Sequence, residues 1–344
     1  MNLVLRNASD NFDWSEISPT IFGAVFESTL NPETRRSGGM HYTSIENIHK
    51  VIDPLFLDDL KAELEEIKAI AVTKTRDNRL QELQDKLASL SWLDPAAGSG
   101  NFLTESYLCV RKLENEIIYL LQRGQMTMGE ALNPIKVSIS QFYGIEINDF
   151  AVTVARTALW IAENQMMKAT EDIVHQSLDF LPLKTNAHIV EGNALRMDWN
   201  DVVPKEKLNY IMGNPPFVGV NYMSEEQRTD MDYVWAGVKR GKLDYVTCWY
   251  VQASEYMKQN ERIQCAFVST NSICQGEQAV SLWNKVLIED RMHIIFAYRT
   301  FVWNSESLGK ANVHVVIVSF SRAVTKEKYL FTGGDMRGDG FWVC

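Results

Sequence analysis

Cysteine and long apolar runs are the first things this sequence lacks. It has five cysteines in 344 residues, and none of them forms a Cys-x-x-Cys pair. An odd number of thiols, most of them in apolar runs, is typical of a reducing compartment and not of a disulfide framework. Residues 1–13 lack the apolar core of a signal peptide, and no stretch reaches the roughly 18 apolar residues of a membrane span. We therefore expect a cytoplasmic protein with no membrane partner.

Basic residues are also fewer than acidic residues. The formal net charge is −10 and the pI is about 5.2. A self-sufficient nucleic-acid-binding domain is usually basic on one face, so this balance argues weakly against that class. Local patches matter more than the sum, and the basic candidates are Arg35-Arg36 and residues 239–242. The length and the 46% apolar content suffice for one large α/β domain or two small ones.

Both common phosphate-binding fingerprints are missing. The P-loop pattern does not occur, and Gly98-Ser99-Gly100 has no third glycine where the dinucleotide fingerprint needs one. The surrounding stretch, DPAAGSGNF at 94–102, nevertheless follows a short apolar strand and precedes a helix. Small residues let a ligand approach the backbone, and a helix N-terminus adds partial positive charge. The acid Asp94 at the strand end suits an amino or ammonium group on the ligand.

The central motif is NPPF at 214–217, directly after the apolar run 208–212. Each proline fixes φ and removes a backbone donor, and the residue before a proline leaves the α region. The Asn214 amide and the Pro215 carbonyl are therefore free to point outward at the ligand-binding rim of an α/β sheet. Two acceptors beside the ring of Phe217 suit the exocyclic amino group of a planar base.

Polar residues end two further predicted strands. Glu146 follows a strand over 141–147, and a carboxylate there is where adenosine-type ligands have their ribose hydroxyls held. Asn193 follows a strand over 187–190, and its amide either meets an adenine edge or only caps a turn. The alternation of strands and helices predicts a doubly wound α/β fold, closed by two antiparallel strands over 292–301 and 312–320.

These motifs resemble those of a known group. DPAAGSG at 94–100 and NPPF at 214–217 look like motifs I and IV of S-adenosylmethionine-dependent DNA adenine-N6 methyltransferases, and GMHYT at 39–43 resembles motif X. Their order is the γ arrangement. The chain resembles in particular the methyltransferase portion of fused type IIG and IIL restriction–modification enzymes. The resemblance implies the Rossmann-like, seven-stranded mixed sheet of class I methyltransferases, with a helical N-terminal region.

The resemblance also implies a division of the chain. We expect a helical region at 1–89 that carries motif X, followed by a catalytic domain at 90–322. The stretch 323–344 has the glycine content of a linker. We interpret it as a linker or as the truncated start of a C-terminal recognition domain.

The cofactor implied is S-adenosylmethionine. Tyr42 and Thr43 would contact its methionine end, Asp94 would lie near its amino group, and Glu146 would hold the ribose hydroxyls. Asn193 and Ala194 fall at motif III, where the family commonly has Asp-Phe, so this chain departs from the pattern at the adenine end. The expected cofactor contacts are Tyr42, Thr43, Asp94, Pro95, Ala96, Gly98, Gly100, Asn101, Phe102, Glu146, Asn193 and Ala194.

The implied reaction is methyl transfer to the N6 amino group of an adenine flipped out of DNA. Asn214 and Pro215 would accept both amino hydrogens, and Phe217 would stack on the base, with Pro216 completing the catalytic motif. At the motif VIII position, either Phe301 or Trp303 would pack against the base. The chemistry requires no metal.

Two other functions stay open. Protein glutamine-N5 methyltransferases also use Asn-Pro-Pro-aromatic, but they do not place a segment like 40–43 ahead of motif I. The second alternative is that the chain is an inactive, cofactor-binding fragment of a larger complex. Cytosine-N4 also stays open as the acceptor. We expect double-stranded DNA as the partner, bound through a recognition domain or subunit absent from this chain.

Overall fold

The computed structural model describes residues 18–19, 43–122, 133–178, 186–237, 242–303, 313–332 and 341–342. Tyr42 and residues 39–41 of the motif X segment lie outside these ranges, as do both basic candidates apart from Lys242.

The described N-terminal part is helical, as the sequence predicts. Helices α1 (Ile45–Ile52), α2 (Asp58–Lys68) and α3 (Thr73–Ser89) follow one another, with a π-helical turn at Asp53–Leu57 between the first two. That turn contains Pro54, which lacks the N–H that an α-helix would bond to residue 50. Helices α2 and α3 form a hairpin rather than one long helix.

Nine described strands form one sheet. They are β1 (Trp92–Asp94), β2 (Phe142–Glu146), β3 (His188–Glu191), β4 (Tyr210–Gly213), β5 (Gln264–Thr270), β6 (His293–Trp303), β7 (Val313–Ser321), β8 (Tyr329–Phe331) and β9 (Phe341–Trp342). The spatial order is 3-2-1-4-5-7-6-8-9. Strands β1 to β5 pair in parallel, whereas β7 runs antiparallel to both β5 and β6.

The first seven strands confirm the predicted doubly wound, Rossmann-like mixed sheet, including its antiparallel pair at the end. Strands β8 and β9 were not predicted, and both fall inside the stretch 323–344 that the sequence presents as a linker. Strand β8 pairs in parallel with β6 through Phe296, Ala297 and Tyr298. Residues 329–331 of that stretch thus belong to the sheet, because their backbone groups pair with β6.

Helices cross between the strands on both faces. Helix α4 (Asn101–Gln122) follows β1, α5 (Asp149–Val174) follows β2, and α6 (Glu225–Val234) and α7 (Thr247–Met257) separate β4 from β5. Helix α8 (Gly276–Trp283) continues into a π-helical turn at Asn284–Glu289 before β6. None of the helices in the described ranges combines the length and the apolar character that a membrane crossing requires.

Alternating side chains along the strands divide the core into two layers. Trp92 and Met212 belong to a cluster that contains α1 to α5, whereas Leu93 and Ile211 belong to a cluster that contains α6 and α7. The N-terminal helices thus share one core with α4 and α5. Their position on the sheet brings the residues that precede α1 to the carboxyl ends of the strands.

One buried polar network ties this layer together. Arg111 and Glu114 of α4 are 1% and 0% exposed and form an ion pair. Arg111 Nη2 also donates to Thr170 Oγ1 of α5 at 2.8 Å, and Glu114 Oε1 accepts from Gln84 Nε2 of α3 at 3.0 Å. The backbone N–H of Lys136 donates to the same oxygen at 2.6 Å. Three helices and the loop before β2 therefore meet at one buried ion pair.

We expect Arg111→Met to destabilise the fold by about 3–5 kcal/mol, because it leaves the Glu114 carboxylate buried without its cation. Adding Glu114→Gln should restore part of the loss, since glutamine keeps an acceptor oxygen and removes the charge. Urea denaturation measures both. If Arg111→Met costs no more than Arg79→Met on the exposed face of α3, the network does not stabilise the fold in this way.

Candidate active site

A cavity of about 740 Å³ opens at the carboxyl ends of β1, β2 and β4, the edge where open α/β sheets bind ligands. Its wall comes from the loops after these strands, from the loop after β3, and from α6 and α7. The residues that line it are Thr43, Asp94, Pro95, Ala96, Ala97, Gly98, Ser99, Asn101, Phe102, Ile145, Glu146, Ile147, Asn148, Gly192, Asn193, Ala194, Arg196, Asn214, Pro216, Ser224, Glu226, Gln227, Thr229, Asp230, Tyr245 and Trp249.

The loop after β1 is shaped by two glycines with positive φ. Gly98 has φ 53° and Gly100 has φ 80°, values that side chains disfavour. A Cβ on Gly100 would also lie 2.8 Å from the Cβ of Ala155 in α5. The sequence predicts Gly100 as a cofactor contact, but Gly100 is not among the residues that line the cavity. It is instead a contact point that lets the loop turn against α5 and start α4.

Asp94 ends β1 and lies directly against β4. A Cβ on Gly213 would come within 2.4 Å of Asp94 Oδ1, so only glycine leaves room for the carboxyl group there. Asp94 Oδ1 accepts from the Ala96 N–H at 2.9 Å, whereas Oδ2 is buried with no hydrogen-bond partner in the described residues. Burial raises the pKa of Asp94 to about 8; the Ala96 bond lowers it, and the nearby charge of Glu146 raises it further.

Glu146 ends β2 and is held from both sides by backbone donors. Its Oε2 accepts from the Gly98 N–H at 2.8 Å and its Oε1 from the Asn148 N–H at 3.0 Å. Burial raises the pKa of Glu146 above its ordinary value, and these backbone bonds oppose that shift. Each oxygen retains a lone pair, so this fixed carboxylate can still accept from a ligand that lies in the cavity.

Asn214 follows β4, and its amide is oriented by Thr43. Asn214 Nδ2 donates to Thr43 Oγ1 at 3.3 Å, while its Oδ1 is buried with no hydrogen-bond partner in the described residues. Thr43 is 4% exposed and precedes α1 by two residues. The contact joins residues 171 positions apart in the sequence, and it leaves the acceptor oxygen of Asn214 available.

Asn193 does not present its side chain freely to the cavity. Its Nδ2 donates to Asp230 Oδ2 at 2.9 Å, and its Oδ1 accepts from the Leu195 N–H at 2.9 Å. The same Asp230 carboxylate accepts from Arg196 Nε at 2.6 Å and from the Tyr245 hydroxyl at 2.8 Å. The sequence left two interpretations of Asn193 open, and its Oδ1 has the role of a turn cap. Its Nδ2 joins the loop after β3 to α6 through Asp230.

Most of the predicted site residues meet at this cavity, but several do not line it. Pro215, Phe217, Phe301 and Trp303 are absent from the wall among the described residues. Phe217 is partly buried and packs against both core clusters. Trp303 is 4% exposed, and Phe301 is partly exposed with Lys50 Nζ at 5.6 Å from its ring centroid. Tyr42 lies outside the described residues.

Sequence reasoning missed the wall that α6 and α7 supply. Helix α6 occupies Glu225–Val234, within the polar and aromatic stretch 218–241. The Ser224-x-x-Gln227 pattern is a capping box, in which each side chain caps the other's backbone, and it could have marked the helix start. Its apolar surroundings in the sequence predict a core position for Trp249, and the side chain is buried. In addition, its Nε1 donates to the Pro95 carbonyl at 3.0 Å and so fixes the motif I loop.

The donor and acceptor set of the cavity fits a ligand with amino groups at two places. Asp94 Oδ2 and Asn214 Oδ1 are buried acceptors that lack donors, and each such atom costs free energy until a donor arrives. Glu146 offers further acceptor capacity for hydroxyls. S-adenosylmethionine fits this set, because its ammonium group suits Asp94 and its ribose suits Glu146.

The seven-strand order, the glycine turn after β1 and the NPPF turn after β4 define the class I methyltransferase fold with its two motif loops at one edge. Comparison with known protein families gives the particular group. Residues 70–332 match the family model described as MmeI, DNA-methyltransferase domain. The chain belongs to this family.

Individual relatives agree with this assignment. The chain is 40% identical over 324 residues to DNA methyltransferase A of Bacillus subtilis (strain 168), covering 93% of this chain and 36% of that protein. It is 41% identical to the type IIL restriction–modification enzyme MmeI, whose structure was solved in complex with DNA, with a TM-score of 0.88 over 96% of this chain and 44% of the other. The DrdV–DNA complex shares the fold alone, at 16% identity and a TM-score of 0.55 over 95% of this chain and 31% of that one. The chain thus spans less than half the length of each.

Asp94 makes the free energy of unfolding depend on pH. Its pKa in the folded chain, about 8, lies above its ordinary value of 3.8, so the folded state holds a proton that the unfolded state has released. This contribution to stability is present below pH 3.8 and is lost as the pH rises toward 8, by at most about 1.4 kcal/mol per pH unit. Asp94→Asn should remove that loss, so its stability relative to the parent should rise between pH 5 and 8.

Denaturant titrations at pH 5, 6, 7 and 8 measure this difference. Asp172→Asn, at an exposed position of α5, serves as the matched control and should show a flat difference. A flat difference for Asp94→Asn as well would contradict the buried, cation-free carboxylate described above.

Proposed function

We propose that this chain transfers a methyl group from S-adenosylmethionine to the N6 amino group of an adenine flipped out of double-stranded DNA. In this proposal it is the modification part of a restriction–modification enzyme. The observation that carries the proposal is the pair of buried acceptors, Asp94 Oδ2 and Asn214 Oδ1, which have no donor among the described residues and lie at the ends of adjacent strands at one cavity. Family membership supports DNA as the substrate.

Asn214 would act on the amino group of the base. Its Oδ1 accepts one N–H and the Pro215 carbonyl accepts the other, so that the nitrogen lone pair is turned toward the methyl donor. As positive charge develops on the nitrogen, both acceptors gain in strength, which stabilises the transition state more than the ground state. The reaction then needs no general base at the start.

Asp94, Glu146 and Thr43 would bind and orient the methyl donor. When bound, S-adenosylmethionine supplies a sulfonium methyl group that an amine attacks in line. The cation on its amino group would compensate the Asp94 carboxylate, whose charge burial otherwise disfavours. Glu146 would accept from ribose hydroxyls while the backbone of Gly98 and Asn148 holds it in place.

The flipped base would stack between aromatic rings. Phe217 is adjacent to the acceptors in the chain. Of the two motif VIII candidates, we assign the stacking role to Phe301, because Trp303 is 4% exposed and would need to leave the core to reach a base. Double-stranded DNA would be held through a recognition segment or subunit outside this chain, in line with the acidic net charge of −10.

Asn214→Ala should lower kcat for methyl transfer by at least about 10²–10³-fold, the effect of removing one transition-state hydrogen bond in other enzymes. Cofactor binding should persist, since Asp94 and Glu146 are unchanged. Transfer of labelled methyl groups to DNA and calorimetric binding of S-adenosylmethionine give the two readouts. Asn284→Ala, at an exposed position after α8, is the matched control and should keep both. Transfer at the parent rate by Asn214→Ala would refute the role.

Thr43→Val should lower kcat by about five- to tenfold, because it removes one hydrogen bond of about 1 kcal/mol that orients the Asn214 amide. Thr43→Ser keeps the hydroxyl and should restore the rate. The same labelled transfer assay measures both variants. A loss equal in serine and valine would point to packing rather than to the hydrogen bond.

The methyl acceptor itself is tested by offering alternatives. Labelled cofactor with duplex DNA, with a glutamine-containing peptide, and with cytosine-only target duplexes distinguishes adenine-N6 from glutamine-N5 and cytosine-N4 chemistry. Label in the peptide or in cytosine, and none in adenine, would overturn the proposal. The assay should use the longest available form of the protein, because the relatives extend well beyond the region that this chain matches.

A further inference from the structure

A second cluster of reactive side chains lies outside the cavity, between α1 and α4. His49 of α1 faces Glu105 and Cys109 of α4, and the ligand atoms of all three lie within 4.8 Å of one another. Glu105 and Cys109 are four positions apart and therefore project from the same side of their helix. Both are buried, whereas His49 is 19% exposed, so a path from solvent reaches the cluster. The reaction proposed above uses none of the three.

The separations inside the cluster match a tetrahedral metal site. His49 Nε2 lies 3.3 Å from Glu105 Oε1, and Cys109 Sγ lies 3.6 Å from the same oxygen. For tetrahedral Zn²⁺ with ordinary bond lengths, nitrogen and oxygen ligands are about 3.3–3.5 Å apart and sulfur and oxygen about 3.5–3.7 Å. Both separations to Glu105 Oε1 therefore match coordination of one ion, and the third pair of ligand atoms lies within 4.8 Å.

The other ring nitrogen of His49 is held as in a metal site. His49 Nδ1 lies 2.8 Å from Asp53 Oδ1, one turn further along the chain. A ligating histidine usually donates its second N–H to a carboxylate, which fixes the tautomer and turns the free nitrogen to the ion. Asp53 sets this orientation and aims Nε2 at Glu105 and Cys109.

We propose that His49, Glu105 and Cys109 bind one divalent transition-metal ion, with Zn²⁺ the best match to the nitrogen, oxygen and sulfur donors. Three protein ligands leave a fourth position for water. The ion replaces the imidazolium proton and the thiol proton, so the net charge of the cluster does not change.

The position of the site gives the ion a structural role. Helix α1 begins two residues after Thr43, and α4 begins at the end of the motif I loop. An ion between them clamps the N-terminal helices to the loop that follows β1.

Metal binding is tested on the full chain after treatment with a chelator. The background carries Cys274→Ser, which removes an exposed thiol, and Cys344→Ser. Zn²⁺ titrated against a chromophoric chelator should bind at one equivalent per chain and raise the Tm by several degrees. Cys109→Ser, His49→Gln and Glu105→Gln should each weaken binding at least tenfold and remove the Tm shift. Asp53→Asn should weaken it about 10–100-fold.

Co²⁺ provides a readout that does not depend on the stability of the variants. In the background protein it should give the visible spectrum of a tetrahedral site together with a thiolate charge-transfer band, and Cys109→Ser should lose the band. Two results overturn the proposal: no stoichiometric Zn²⁺ in the background protein, or an unchanged affinity and Co²⁺ spectrum in Cys109→Ser. The cluster is then an ion-pair network only.

Discussion

The close approach of β1 and β4 is the constraint on which the site depends. The two strands are parallel neighbours, and the absence of a side chain at Gly213 lets the Asp94 carboxyl group lie against the backbone that leads into the NPPF turn. Because parallel strands end at the same edge, the motif I loop and the NPPF turn share one cavity. A side chain at 213 would force the Asp94 carboxyl group out of this position, because a Cβ there would lie 2.4 Å from Asp94 Oδ1.

This geometry sets two buried acceptors at the cavity. Asp94 Oδ2 and Asn214 Oδ1 are removed from water and receive no donor from the described residues, which is unfavourable for the fold and favourable for binding. The buried ion pair on α4 shows a different arrangement, in which the Arg111 terminal nitrogens and the Glu114 carboxylate find partners on α3, on α5 and on one another.

The helices around the site are held to it by long-range polar contacts. Thr43 reaches Asn214 across the sheet, and Asp230 collects donors from the β3 loop and from the segment before α7. Family membership gives the general plan of such a domain, whereas these contacts belong to this chain's own residues. Asn193 takes part in them, because its amide nitrogen donates to Asp230 on α6.

Local chemistry in the sequence determined the strand ends and their loops. A run of apolar residues followed by Asp94, by Glu146 or by an Asn-Pro-Pro turn carries its own conformation, since glycine, proline and strand periodicity act over a few residues. The doubly wound order and the shared edge followed from those signals. Pairings between distant segments left no such signal: the hydrogen bond from Asn214 to Thr43, the wall formed by α6, the strand β8 and the cluster at His49 depend on which side chains the packed core brings together. Only the tertiary structure decided them, because such contacts form between segments that are distant in the sequence, and no single segment determines them.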